Sequence, residues 1–192
     1  DTQITSWAME KLQGGLGDKK PFFLGVGYYR PHIPLFAPQK YFNRFKESPG
    51  KLPFVVTDDL KDVGPIASKW ARDPITAGSH ETVLKHRQWR AAVEAYLACT
   101  TYVDHEIGRL LSTLDKSNAA DDTWIFLWSD HGWHLGEKDI TGKNTLWDRG
   151  TKVPLIFAGP GITPQQTCGQ PVELLDIYPT LIDLTGAPTR SD

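Results

Sequence analysis

Residues 124–137 read WIFLWSDHGWHLGE, an apolar run followed at once by a group of ionisable residues and glycines. The aromatic and β-branched run Trp124 to Trp128 predicts a short buried strand. Before it lies a long stretch, 89–114, whose apolar residues recur at steps of three and four and predict an amphipathic helix. After it, Val153 to Ala158 predicts a further strand, which Gly-Pro-Gly closes. Helices that alternate with buried strands indicate the α/β class, with a central, largely parallel sheet flanked by helices.

The rest of the chain extends the same pattern. Residues 43–79 mix Pro, Gly, Asp and Lys and are expected to form an irregular segment with short elements. The remaining predictions are a helix from Thr2 to Leu12, a buried strand from Phe22 to Gly27, and a helix from Glu173 to Gly186.

Composition limits the possible functions. The chain has 192 residues with 40% hydrophobic content, which suits one domain or part of one. The formal net charge is -2 and no basic stripe is present, so we predict no nucleic-acid partner. The longest apolar runs have the length of strands, so we also predict no membrane span. Cys99 lies in the apolar pattern of the long helix and is predicted to be a buried, inert thiol.

Two groups of ionisable residues follow predicted strands, where ligands collect in open α/β sheets. Asp130 and His131 offer a carboxylate oxygen and an imidazole nitrogen beside a glycine, a combination that suits a divalent cation. The alternative is structural, with Asp130 capping the next segment and His131 bonded to a backbone carbonyl. Two ligands do not fill a coordination sphere, so a cation here requires further oxygens.

His32 follows the first predicted strand and lies between Pro31 and Ile33-Pro34, which restricts where its ring points. A fixed imidazole can serve as a general acid, although a histidine after a strand is more often only hydrogen-bonded. Lys143 follows Thr141-Gly142 in a polar loop, and composition alone describes it as a surface lysine.

Three long blocks resemble the type I sulfatase family, in its iduronate-2-sulfatase-like branch. They are PFFLGVGYYRPHIPLFAPQKYF (21–42), WSDHGWHLGEKDITGKNTLWDRGTKVPLIFAGPG (128–161) and VELLDIYPTLIDLTG (172–186). Their order also matches the family, and the resemblance is weakest between residues 46 and 81. It implies an alkaline-phosphatase-like fold, of which residues 1–192 would form part of a single catalytic domain.

The resemblance also implies roles for individual residues. Asp130 and His131 match the family's second pair of ligands to a divalent cation, usually Ca²⁺, with Mg²⁺ as the other possibility. His32 matches the histidine that approaches the bridging oxygen of the ester. Lys143 matches the lysine that binds the sulfate and assists the departing alcohol.

Three further residues near these motifs are candidates for substrate binding. Trp133, His134 and Trp147 lie beside the expected site and are candidates to contact a sugar ring, although burial explains Trp147 equally well. The implied partner is a sulfated small molecule or glycan, and the implied localisation is extracytoplasmic.

The family's nucleophile is a formylglycine made from the cysteine of a Cys-x-Pro-Ser-Arg signature, and this sequence has no such signature. Cys99 precedes Thr-Thr-Tyr-Val, and Cys168 precedes Gly-Gln-Pro-Val. We therefore expect the nucleophile and two further metal-binding aspartates in an N-terminal segment that is missing from this sequence. The pair Asp58-Asp59 lies in the irregular segment and is interpreted as surface charge.

Two other functions stay open at this point. Ser-Asp-His-Gly after a strand also occurs in two-zinc phosphatases and phosphodiesterases of the same superfamily, although Lys143 and the block around His32 argue against them. A non-catalytic fragment that only binds a polyanion or a protein is the second alternative.

Overall fold

The structure is a computed structural model that describes residues 1–73 and 79–189. These residues form seven α-helices: α1 (Thr2–Gln13), α2 (Gln39–Glu47), α3 (Pro65–Arg72), α4 (His80–Lys85), α5 (Trp89–Leu114), α6 (Asp148–Thr151) and α7 (Ile177–Thr185). The same described residues form four strands: β1 (Ile125–Trp128), β2 (His134–Leu135), β3 (Thr141–Gly142) and β4 (Leu155–Ala158). Short 3₁₀ turns lie at Ala120–Asp122, Glu137–Asp139 and Leu174–Asp176.

The long helix α5 is the centre of the helical part, and its predicted bounds are confirmed. Its apolar stripe packs against α1 and α2, because residues three and four apart lie on one face of a helix. Ala98 and Tyr102 meet Tyr41 of α2 in one buried cluster, and Leu114 meets Leu12 of α1 in another. Cys99 is fully buried on the same helix, as predicted, and burial raises the pKa of its thiol.

A buried polar network also connects α1 to α5. The carboxylate of Glu106 is nearly fully buried and accepts hydrogen bonds from Thr2 Oγ1 at 3.0 Å and from Arg109 Nη1 at 2.6 Å. The hydroxyl of Tyr102 lies 2.8 Å from Thr2 Oγ1 and accepts from the Thr2 N–H at 3.0 Å. A buried carboxylate is tolerated only when it is well hydrogen-bonded, so this network fixes the start of α1 against α5.

The α/β class is confirmed, but the predicted parallel pairing is wrong for the described strands. β1 and β4 pair antiparallel, with Ile125 opposite Ala158 and Trp128 opposite Leu155. The connecting segment therefore leaves and re-enters this two-stranded sheet at the same end, whereas a parallel pair needs a connection that crosses the sheet. Sequence periodicity does not distinguish the two directions, because a buried run looks the same in both.

The segment from β1 to β4 contains a small hairpin. β2 and β3 pair antiparallel, with His134 opposite Gly142. The chain reverses through Gly136, Lys138 and Asp139, which have positive φ angles of 126°, 57° and 56°. This reversal returns the chain toward the end of β1 before α6 begins.

The predicted strand from Phe22 to Gly27 does not form in the structure. No strand among the described residues pairs with it, and a strand needs a hydrogen-bonded neighbour. Phe22 packs against the Leu12 and Leu114 cluster, whereas Phe23 is 84% exposed. The apolar run therefore contributes one core side chain from an irregular backbone.

The last predicted helix forms in two parts. A 3₁₀ turn at Leu174–Asp176 leads into α7, and Gly186 ends it in the left-handed conformation that glycine adopts most easily. Pro179 is tolerated because it lies in the first turn of α7. Across the described ranges, every helix is too short or too polar to cross a bilayer.

We expect Glu106→Gln to destabilise the protein by about 2 kcal/mol at neutral pH, because it removes a charged partner from a buried network. Burial alone raises the pKa of Glu106, but hydrogen bonds from Thr5, Thr2 and Arg109 outweigh burial and lower it overall. The stabilisation is therefore complete above the unfolded-state pKa and disappears as pH falls through the lower folded-state pKa. Urea unfolding of both proteins between pH 7 and pH 3 measures this. If the difference in the free energy of unfolding between the two proteins stayed the same from pH 7 to pH 3, the stabilising role of the Glu106 carboxylate would be contradicted.

Candidate active site

The loop after β1 carries Asp130 and His131. His131 Nδ1 lies 2.9 Å from the carbonyl oxygen of Gly132, so Nδ1 carries the proton and Nε2 presents its lone pair. Asp130 Oδ1 accepts from the His131 N–H at 3.0 Å, and its Oδ2 lies 3.6 Å from His131 Nε2. The Asp130 side chain is 82% exposed, so its carboxylate faces outward beside the imidazole.

The loop between residues 28 and 36 carries His32. Its Nδ1 lies 2.6 Å from the carbonyl oxygen of Ile33, so Nδ1 again donates and Nε2 presents a lone pair. Tyr29 donates its hydroxyl to the same carbonyl at 2.9 Å and lies against the imidazole with ring centroids 4.9 Å apart. The ring is therefore held on one nitrogen and supported on one side.

Lys143 joins these two loops. Its Nζ lies 3.0 Å from His32 Nε2 and 2.7 Å from His131 Nε2, although the two histidines come from distant parts of the chain. An ammonium has three N–H donors, and both imidazole nitrogens present lone pairs, so Lys143 donates to each. Within the described residues its third N–H makes no hydrogen bond. The predicted convergence of His32, Lys143, Asp130 and His131 is found in the structure.

This cluster places a cation and two polarised imidazoles around one point. A charged N–H donor with a spare hydrogen is suited to binding an anionic oxygen, since charge-assisted hydrogen bonds are the stronger kind. The Lys143–His32 contact also provides a proton between two bases, which is the requirement for general acid catalysis at a leaving oxygen. The arrangement is therefore able to bind an oxyanion and to protonate a group beside it.

A divalent cation would find only part of its ligands here. Asp130 supplies a carboxylate and His131 supplies Nε2, and the described ranges contain no cluster of three His, Cys, Asp or Glu side chains that would complete a site. The donor types suit a cation, but further oxygens are needed. His131 Nε2 has one lone pair, and the Lys143 ammonium occupies it in this structure.

The three residues predicted to contact substrate have different environments. Trp133 is half-buried and stacks on Tyr96 with ring centroids 6.5 Å apart, so part of its surface stays accessible. Trp147 is half-buried and packs against the cluster of Leu60, Ala71 and Ile140.

His134 is fully buried, so the structure does not bring it to a surface where a sugar would contact it. Its Nδ1 donates to the carbonyl oxygen of Glu137 at 3.1 Å, and its Nε2 accepts from Thr145 Oγ1 at 2.9 Å. Burial lowers the pKa of His134, which keeps the ring neutral. His134 therefore fixes the hairpin that leads to Lys143.

Sequence reasoning missed a salt bridge that anchors this hairpin. Lys138 Nζ lies 2.7 Å from Asp59 Oδ1 and 2.8 Å from the Asp59 carbonyl oxygen. Both side chains are largely buried, so the interpretation of Asp59 as surface charge is wrong, whereas Asp58 pairs with Lys61 at the surface. Hydrogen bonding to Asp59 raises the pKa of Lys138. A lysine in a polar loop gives no sequence signal of such a partner.

Known proteins resemble this chain in both fold and sequence. The fold is that of the alkaline-phosphatase-like enzymes, since 95% of the chain superposes with a TM-score of 0.75 on 38% of a phosphonate monoester hydrolase from Silicibacter pomeroyi, at 28% identity. The family model "Sulfatase" matches residues 1–187, and the chain belongs to the sulfatase family.

Two relatives illustrate the family match. A sulfatase from Formosa agariphila is 42% identical over 97% of this chain and 36% of its own length. Iduronate 2-sulfatase from Homo sapiens is 31% identical over 97% of this chain and 40% of its own length. The chain thus spans little more than a third of the length of these relatives.

We expect Gly132→Ala to displace the His131 loop. An added Cβ would overlap the backbone carbonyl oxygen of Arg149 and lie 3.1 Å from that of Lys152, and backbone atoms cannot move aside cheaply. The expected cost is about 1–3 kcal/mol of stability, as in overpacked sites. Thermal unfolding measures it, with Gly108→Ala as the control because its Cβ would meet nothing within 4 Å. Equal melting temperatures for Gly132→Ala and the parent would contradict the packing argument.

Proposed function

We propose that this chain supplies the residues that protonate the leaving group, and part of the cation site, in a sulfatase that hydrolyses a sulfate monoester. The observation that carries the proposal is the contact of the Lys143 ammonium with both His32 Nε2 and His131 Nε2. In this arrangement an N–H of Lys143 binds a sulfate oxygen, while His32 lies beside the oxygen that bridges sulfur to the alcohol. Membership of the sulfatase family supports the choice of sulfate as the group transferred.

The net reaction requires a proton at the leaving oxygen. The bond from sulfur to the bridging oxygen breaks, the oxygen keeps the electron pair, and a proton from the Lys143–His32 pair converts it to the alcohol. Over the whole cycle water provides the oxygen that sulfur gains as sulfate; one proton of that water restores the pair and the other is released to solvent. Protonation at a developing alkoxide is worth most when the alcohol is a poor leaving group.

The nucleophile is proposed to be a formylglycine in a part of the protein outside these 192 residues. The support is that no Cys-x-Pro-Ser-Arg signature occurs here and that the chain spans only part of the length of its relatives. The isolated chain is then expected to be inactive. Two further aspartates from that same outside segment would add oxygens to the cation site.

Asp130 and His131 are the proposed ligands of this chain to a divalent cation, with Ca²⁺ the first choice and Mg²⁺ the second. When bound, such an ion would take the His131 Nε2 lone pair in place of the Lys143 ammonium, which would keep its hydrogen bond to His32, and it would neutralise charge that develops on sulfate oxygens. Asp130 suits this role because its exposed carboxylate borders His131 Nε2 and leaves room for further ligands.

The proposed substrate is a sulfated carbohydrate. One relative is named for iduronate, a sugar acid, which supports this class. Trp133 is the proposed contact for a sugar ring, since it is a half-buried aromatic in the same loop as His131.

A phosphorus-ester hydrolase is the second candidate, favoured by the structural likeness to a phosphonate monoester hydrolase. The two functions are distinguished by comparing sulfate, phosphate and phosphonate esters of one alcohol with the full-length protein. The proposal requires the sulfate ester to have the highest kcat/KM.

We expect His32→Ala and Lys143→Met to reduce kcat of the full-length protein about a hundredfold or more, since general acid catalysis contributes about 10²–10⁴. Steady-state assays on a sulfate ester measure this, with His86→Ala as the control because His86 is exposed at the end of α4. Unchanged turnover in both variants would remove the assigned roles. Rapid turnover by the isolated 192-residue chain would contradict the proposed location of the nucleophile.

We expect Asp130→Asn and His131→Ala to weaken Ca²⁺ binding by the full-length protein about tenfold or more, since each removes one ligand. Isothermal titration of the metal-depleted protein measures the affinity without reference to turnover. Asp148→Asn is the matched control, because Asp148 is an exposed carboxylate in the same segment. Equal affinities in Asp130→Asn, His131→Ala and the parent would exclude these two residues as ligands.

A further inference from the structure

The loop that carries His32 is held from outside by one carboxylate. Asp1 Oδ1 accepts from the Tyr29 N–H at 2.8 Å, and Asp1 Oδ2 accepts from the Arg30 N–H at 3.1 Å. Both oxygens of one side chain therefore hold two successive backbone amides. No sequence pattern indicates this contact, because Asp1 and Tyr29 are far apart along the chain.

Asp1 occupies a position where its side chain would ordinarily serve its own helix. It is the N-cap residue of α1, yet its carboxylate makes no capping hydrogen bond to that helix. An N-cap aspartate usually accepts from a backbone N–H in the first turn. Here the carboxylate is directed to the His32 loop instead.

The backbone that carries the Asp1 carboxylate is itself held in place by α5. The next residue, Thr2, donates its N–H to the Tyr102 hydroxyl and its own hydroxyl to Glu106, both on α5. Because α5 is the central helix, the start of α1 has little freedom. Asp1 thus connects the His32 loop to the core of the protein.

The contact is transmitted to His32 through short backbone links. The His32 N–H donates to the Tyr29 carbonyl oxygen at 3.0 Å, so the amide that Asp1 holds belongs to the same turn as His32. Arg30, the second residue held, donates Nη1 to the His32 carbonyl oxygen at 3.1 Å. Moving the Tyr29–Arg30 backbone would therefore move the imidazole away from Lys143.

We infer that Asp1 is a positioning residue, which holds His32 Nε2 at hydrogen-bonding distance from Lys143 through the amides of Tyr29 and Arg30. The inference rests on the proposed function for its effect on turnover. Its structural part, the orientation of the His32 ring, is independent of the reaction.

The test uses Asp1→Ala and Asp1→Asn in the full-length protein with a series of aryl sulfates whose phenols differ in acidity. A misplaced proton donor harms poor leaving groups most. We expect Asp1→Ala to lower kcat about tenfold or more for phenyl sulfate and less than threefold for nitrophenyl sulfate, in the same pattern as His32→Ala. Asp1→Asn keeps one acceptor oxygen and should lie between Asp1→Ala and the parent.

Two controls separate positioning from general destabilisation. Glu10→Gln changes an exposed carboxylate on the same helix and should leave the whole series unaltered. Combining Asp1→Ala with His32→Ala should slow phenyl sulfate no more than His32→Ala alone. A uniform loss over all leaving groups, or effects that multiply in the double variant, would overturn the inference.

A second measurement does not depend on turnover. Mass spectrometry after diethylpyrocarbonate treatment reports the reactivity of each histidine, and His32 Nε2 is shielded by Lys143 in this structure. His32 should react several times faster in Asp1→Ala, while exposed His86 should react at the parent rate. Equal rates at His32 would refute the positioning role, whereas absence of sulfatase turnover in the parent would count only against the proposed function.

Discussion

One ammonium group organises the candidate site. Lys143 Nζ donates to His32 and His131, which come from loops that share no secondary structure, and both rings present the acceptor nitrogen because their other nitrogen donates to a neighbouring carbonyl. Neither imidazole carries a charge when it accepts in this way, so the lysine supplies the positive charge of the group. The local backbone sets the tautomers, and the tautomers make the three-way contact possible.

The antiparallel closure of β1 with β4 gives that contact its location. The connecting segment starts and finishes at one end of the two strands, so Asp130, His131 and Lys143 are confined to that end of the sheet. The hydrogen bond from Thr145 to His134 holds the segment that contains Lys143 against the hairpin. Asp1, at the start of α1, holds the His32 loop. The irregular loops that carry the functional groups are thus restrained by hydrogen bonds to regular elements.

Sequence reasoning succeeded where periodicity or local chemistry is strong. The stripe of α5, the run of β1 and the glycine end of α7 are each local signals, and all three elements form. The resemblance to sulfatases brought His32 and Lys143 together, which spacing alone did not do. Strand direction and the state of Phe22 to Gly27 depend on partners distant in sequence, so the apolar runs did not reveal them. His134 was predicted to contact a sugar, because the sequence does not distinguish a buried, hydrogen-bonded imidazole from an exposed one.

The Lys138–Asp59 salt bridge gives the irregular segment around Asp59 a structural role. The segment near Asp59 contains none of the family's recognisable blocks, yet it holds the tip of the hairpin whose far strand ends next to Lys143. Because the salt bridge anchors the tip of the hairpin, a displacement of the segment around Asp59 would be expected to displace Lys143 as well. A substitution at Asp59 would therefore shift the position of Lys143 without changing Lys143, His32 or His131 themselves.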